Sequence, residues 1–123
     1  MSVKVDLDQL AEALTDFTFA YLITVGDDYR VHTVAVDAVL TNGLLDVGTV
    51  GRSTSRNAAA HPDVTIVWPP SETGGYTLIV DGRAEIADGG LAILPASAVL
   101  HRKAPPNAQT VSGCGDDCVP IGS

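Results

Sequence analysis

Cations are scarce in this chain. Seven Lys+Arg stand against 15 Asp+Glu among 123 residues, a formal net charge of −8 at pH 7. A partner that spreads phosphate over a broad face needs clustered Lys and Arg, so nucleic acid is excluded as a partner class. An anionic membrane surface is disfavoured for the same reason. Long apolar runs are missing too: no stretch approaches 18 apolar residues, so no membrane-spanning helix is expected. The opening residues Met1 to Asp6 lack the basic and then apolar pattern of a secretory signal, and the cytoplasm is the expected address.

Cysteine is nearly absent. The two thiols lie together in Cys114-Gly-Asp-Asp-Cys118. Two are too few for a closed zinc site, even with His101 as a third ligand, so no metal is expected. Reduced thiols on an irregular tail are expected ahead of a local disulfide. Asp116 and Asp117 oppose thiolate formation and make these cysteines poor nucleophiles. No Ser/His/Asp or paired-carboxylate arrangement stands out, so hydrolase chemistry lacks support.

What is present is enough for one buried core: 46% of the residues are hydrophobic, and the length fits one domain. We read the domain as residues 1–104, followed by a Pro-, Gly- and Ser-rich irregular tail over 105–123. Leu7, Leu10, Ala11 and Leu14 fall at helical spacing and predict a helix over 6–16, with Asp6 and Gln9 resembling a capping box. Strands follow: Phe19–Val25, a turn at Gly26-Asp27-Asp28, a long strand Tyr29–Leu40, a hairpin turn at Asn42-Gly43 and a return strand Leu44–Val47. Beyond a short helix, the strands Val64–Trp68, Tyr76–Ile86 and Leu91–Leu100 complete the set. Gly82 inside its strand signals a bulge or sharp bend, and Pro95 fits an edge or a strand start. Asp88-Gly89-Gly90 turns the chain. Six strands with short turns and two short helices predict a mainly β fold, a closed or nearly closed six-stranded antiparallel β-barrel.

The segment Val50–Pro62 carries the most chemistry. Hydroxylic residues can cap a helix start, three alanines propagate it and Pro62 stops it, predicting a helix from about Ser53 to Ala60. Arg52 and Arg56, at i and i+4, share one side of that turn. With Ser53, Ser55 and the unpaired amides of the first turn they make an anion site suited to phosphate. A solvated, Ser-capped helix bearing two arginines would carry the same sequence. Trp68 reads as core ahead of a dimer contact. His32 reads as solvated or dimer-facing, and His61 as a C-cap. His101 and Arg102 either reach a cofactor or simply end a polar strand.

The run Arg52-Ser-Thr-Ser-Arg56-Asn57-Ala58 with Pro62-Asp63-Val64 resembles the phosphate-binding pattern Arg-x-x-x-Arg-Asn-Leu-x-x-polar-Pro-x-Val of the pyridoxamine 5′-phosphate oxidase-like split-barrel family. Leu94-Pro95-Ala96-Ser97 resembles the last strand of its small actinobacterial branch, whose members bind FMN or the deazaflavin F420. The resemblance runs from about residue 7 to 104. It narrows the fold to a six-stranded antiparallel split β-barrel and implies a homodimer with FMN or F420 in a groove between two barrels. The phosphate would meet Arg52, Ser53, Ser55 and Arg56. The ring would lie along Thr33, Val34, Ala35 and Val36 and along Val47, Gly48 and Thr49, where small residues leave room for a planar group. The implied activity is an oxidoreductase that transfers a hydride to or from a small organic substrate, with no side-chain acid or base required. The other reading is a non-catalytic flavin or haem carrier, or a dimeric interaction module. The sequence departs from the family pattern at Thr54, where relatives often carry a Lys, and in lacking the helical insertion before the last strand.

Overall fold

A computed structural model describes residues 1–87 and 90–104. The expectations for the Cys114/Cys118 tail and for the turn at Asp88-Gly89 lie outside those residues. The described chain runs β1 (Ser2–Val5), a 3-10 turn (Leu7–Gln9), α1 (Leu10–Leu14), β2 (Ala20–Val25), β3 (Val31–Val36), β4 (Val39–Thr41), β5 (Leu44–Gly48), α2 (Arg52–Ala60), β6 (Asp63–Trp68), β7 (Thr77–Ala87) and β8 (Gly90–His101). The strands form one antiparallel sheet in the order β3-β2-β6-β7-β8-β5-β4, with β1 added on β8.

Sheet order explains the curl. β3 and β4 are the two edges of this path, yet only Asp37 and Ala38 separate them in sequence. Three peptide steps reach at most about 11 Å, so the edges must approach each other there. They do so without pairing, and the barrel is therefore split. Inside it lie Leu22, Leu45, Ile66, Leu78, Val80 and Ile93, all fully buried, together with Leu10 from α1 and Ala58 from α2.

The barrel is the expected one, with eight strands among the described residues instead of six. The predicted strand Tyr29–Leu40 is two strands, because its halves serve opposite edges and Asp37-Ala38 spans the split between them. The N-terminal strand β1 was not expected. It pairs Ser2 with His101 and Val5 with Ala98, a contact nearly the full length of the chain. The predicted helix over 6–16 is a 3-10 turn followed by one and a half turns of α-helix, and Asp6 makes no side-chain cap bond, so there is no capping box.

Local chemistry sets the tight corners. Asn42 and Gly43 both have positive φ, 51° and 81°, as a two-residue I′ hairpin requires. Pro95 is not on an edge strand. It lies in β8 between the stretch paired with β5, which ends at Ile93, and the stretch paired with β1, which begins at Ala98. Its missing N–H falls where that side of β8 has no neighbour. Opposite, Asp81 pairs with Ser97 and Gly82 with Pro95, so Ala96 is the extra residue of a bulge.

Candidate functional site

α2 starts at Gly51, whose backbone caps the helix without any side-chain bond, so Arg52 is the first helical residue and no hydroxyl caps it. Thr54, Asn57 and Ala58, spaced i, i+3 and i+4, are buried against the sheet. That leaves Arg52, Ser53 and Arg56 exposed on the outer side. Thr54 is only 2% exposed, so its side chain points into the floor.

One buried bond fixes how α2 sits. Asn57 Nδ2 donates to Thr24 Oγ1 at 3.2 Å, and both residues are buried. The Asn57 side chain also packs against Gly26, where a Cβ would meet Asn57 Oδ1 at 3.3 Å and Asp28 Oδ1 at 3.0 Å. His61 is the C-cap through its backbone N–H, which donates to Asn57 O at 2.7 Å. Its side chain does something the sequence did not signal: Nε2 lies 2.8 Å from Asp27 Oδ1 and ties the helix end to the β2–β3 turn. Asn57→Ala strands the buried Thr24 hydroxyl, and is expected to cost about 2 kcal/mol in urea unfolding.

Between α2 and β3 runs a trough of two adjoining cavities. One, about 370 Å³, is lined by His32, Val34, Ala35, Val36, Thr49, Val50, Gly51, Arg52, Ser53 and Thr54. The other, about 470 Å³, is lined by Asp27, Asp28, Arg30, His32, Ser53, Arg56 and Asn57 among others. His32 and Ser53 line both.

The trough brings together Arg52, Ser53, Arg56, Val34, Ala35 and Thr49 of the residues singled out in the sequence. It leaves out four. Val47 is 7% exposed and belongs to the core. Thr33 alternates to the outer face of β3. Ser55 lines neither cavity. Gly48 faces a neighbouring cavity with Thr41, Asn42 and Asp46, and its amide donates to Asp46 Oδ1 at 2.8 Å. Arg30 is the residue sequence reasoning missed. It follows the Gly26–Asp28 turn, and only the placing of that turn beside α2 brings it near Arg56.

Charge distinguishes the trough from the rest of the surface. Arg83 approaches Asp63 at 3.9 Å, and the Arg102 guanidinium lies 4.6 Å above the Tyr76 ring. Arg30, Arg52 and Arg56 form no ion pair among the described residues. Three of the seven cations thus line one trough, beside Asp27 and Asp28 but without an ion pair to either among the described residues, in a strongly acidic chain. His101 is spent elsewhere, with Nδ1 2.9 Å from Ser2 Oγ at the β1–β8 junction. Trp68 is core, 3% exposed. Among the described residues no cluster of three or more His, Cys, Asp or Glu could hold a metal, and no helix is long and apolar enough to cross a membrane.

No family model matches the chain. It is 47% identical over 133 aligned residues to the uncharacterized protein Mb0449c of Mycobacterium bovis, covering 94% of each. Its fold is that of an FAD-binding protein from Mesorhizobium loti (TM-score 0.65, 14% identity, 81% of this chain and 96% of that one). It also matches an F420 reductase (TM-score 0.60, 17% identity, 71% and 94%). The chain belongs to one family with the Mycobacterium bovis protein Mb0449c, and its fold is the split β-barrel of the solved structures it matches.

Proposed function

We propose that the trough binds the phosphate and ring of FMN or F420, and that the protein is an oxidoreductase passing a hydride to or from a small organic substrate. The observation that carries this reading is the set of three unpaired arginines along one trough of a chain with net charge −8. A phosphate ester supplies the ion-pair partner these arginines lack, and guanidinium groups suit it. Beside Arg52 the cavity walls turn small and apolar at Val34, Ala35 and Gly51, which fits a flat ring with its polar edge toward backbone amides. When bound, the flavin or deazaflavin ring supplies the redox chemistry; the chain's own residues bind, orient and exclude water. The names of the structural neighbours, an F420 reductase and an FAD-binding protein, agree with this class of cofactor.

A second copy of the chain is the proposed partner. The cross-strand register sets Ala35, Tyr21, Val67, Ile79 and Val99 in one row across five strands on the outward face. Tyr21 is 38% exposed, and Phe19 stacks edge-on against it with ring centroids 5.6 Å apart. An apolar row of this kind is what a protein interface buries. Ala35 belongs to both the row and the cavity wall, so a copy seated on this face would overhang the trough. Tyr21→Glu is expected to give a monomer by sedimentation equilibrium and to weaken cofactor binding with it; a wild-type monomer at high concentration overturns the dimer.

The cofactor test is direct. The absorbance spectrum of the protein as purified, then fluorescence and thermal-shift titrations with FMN, F420 and FAD, should show binding well below millimolar. Failure of all three to bind below about 1 mM, the weak end of the affinity scale, overturns the reading. Binding without turnover across reductants and acceptors assigns a carrier in place of an enzyme.

A further inference from the structure

We propose that His32 is a third, proton-dependent ligand of the anion that the trough binds, so that anion binding takes up a proton. This rests on the trough being an anion site, and it adds to that site a residue and a pH dependence. Three observations converge on His32. It lines both cavities, a position shared only with Ser53, so it stands between the wall that holds Arg52 and the wall that holds Arg56. It is half-buried on the same side of β3 as Val34 and Val36. It is also the one histidine whose ring forms no hydrogen bond or ion pair among the described residues: His61 is held by Asp27 and His101 bonds to Ser2.

The groups around it decide what it can do. From its own strand and the preceding turn come Arg30, Asp27 and Asp28; from α2 come Arg52 and Arg56. Across the β2–β3 register stands Thr24, whose hydroxyl already accepts from Asn57. Both carboxylates have other bonds. Asp27 is paired with His61, and Asp28 Oδ1 accepts the Arg30 amide at 3.0 Å. Neither carboxylate bonds the His32 ring, and an anion seated between the arginines supplies the partner it lacks. An imidazole changes charge near neutral pH, and contact with an anion favours its charged form.

Linkage fixes the sign. A ligand that raises the midpoint of His32 binds with full strength below the ligand-free midpoint and loses that increment as pH rises through the ligand-bound one. A rise of one unit makes the anion bind about tenfold more tightly on the acid side than on the alkaline side. A phosphate monoester confuses the measurement because it gains charge near pH 6, whereas inorganic sulfate keeps its charge.

The experiment is a proton NMR titration of the three histidine rings with and without saturating sulfate, with sulfate affinity measured across about pH 5.5 to 8, the range in which histidine titrates. The expected result is a His32 midpoint raised by at least half a unit with that of His101 unmoved, and sulfate affinity falling several-fold toward alkaline pH. His32→Asn should abolish that slope. A His32 midpoint that stays put while the Ser53 and Arg56 amides shift overturns the proposal, as does a slope retained in His32→Asn or an absence of sulfate binding. Should the variant fail to fold, the wild-type midpoints decide alone. Parallel FMN and F420 titrations separate the two readings: cofactor binding with an unmoved His32 overturns this proposal only, and sulfate-coupled protonation without cofactor binding overturns the cofactor reading only.

Discussion

Gly82→Ala is expected to lower the unfolding free energy by about 3 kcal/mol, the upper range for forcing volume into a packed site. At this position β7 crosses the bulge in β8. A Cβ there would sit 2.5 Å from Ile93 Cγ2 and 2.6 Å from the Leu94 carbonyl oxygen. Both are well inside van der Waals contact, and the second is backbone held in the β7–β8 ladder by the Arg83–Leu94 pairing. Trimming the neighbouring side chain tests this account. Ile93→Ala in the Gly82→Ala background removes the first clash and leaves the second, so the double variant should not regain stability. Gly48 is the control. Its φ of +72° penalises a side chain, but nothing lies within 4 Å of its would-be Cβ. Gly48→Ala should therefore cost only about 1 kcal/mol, the penalty of left-handed backbone. Urea unfolding of the three variants and the wild type checks the ordering. A Gly82→Ala loss no larger than that of Gly48→Ala would sink the argument.

Gly82 was legible in the sequence because a glycine inside an alternating strand has a local meaning. Asn42-Gly43 was legible for the same reason, and so was α2, whose alanines and terminal Pro62 act within one turn. What was not legible depends on the sheet as a whole. Residues 29–40 keep a period-two pattern straight through Asp37-Ala38, and nothing local says that the strand changes edges there; the curl of seven strands decides it. β1 is a short, mostly exposed run of four residues that becomes a strand only by meeting β8 from the other end of the chain. The site divides in the same way. Arg52 and Arg56 were found through helical spacing, a local rule. Arg30 and His32 join them only because the Asp27–His61 pair and the Asn57–Thr24 bond clamp the β2–β3 turn against α2. Val47 shows the converse error: proximity in sequence to Gly48 and Thr49 suggested a shared surface, but strand alternation turns its side chain into the core.

Removing both trough arginines should separate binding from stability. Arg52→Ala/Arg56→Ala is expected to weaken FMN or F420 binding by about a hundredfold, two charged hydrogen bonds each contributing about 1.5 kcal/mol. The melting temperature should stay within experimental error, because neither side chain packs in the core or pairs with a carboxylate among the described residues. Each single variant should lose about tenfold, provided the two groups act independently. Raising salt should shrink the wild-type affinity much more than that of the double variant, since exposed charges are screened within about 8 Å at physiological ionic strength. Arg83→Ala removes an equal charge from an exposed pair on β7 and should leave binding unchanged. Fluorescence titration at two salt concentrations checks the wild type and all four variants. If Arg83→Ala weakens binding as much as either trough variant, then net charge governs affinity, and the trough has no special claim to the cofactor.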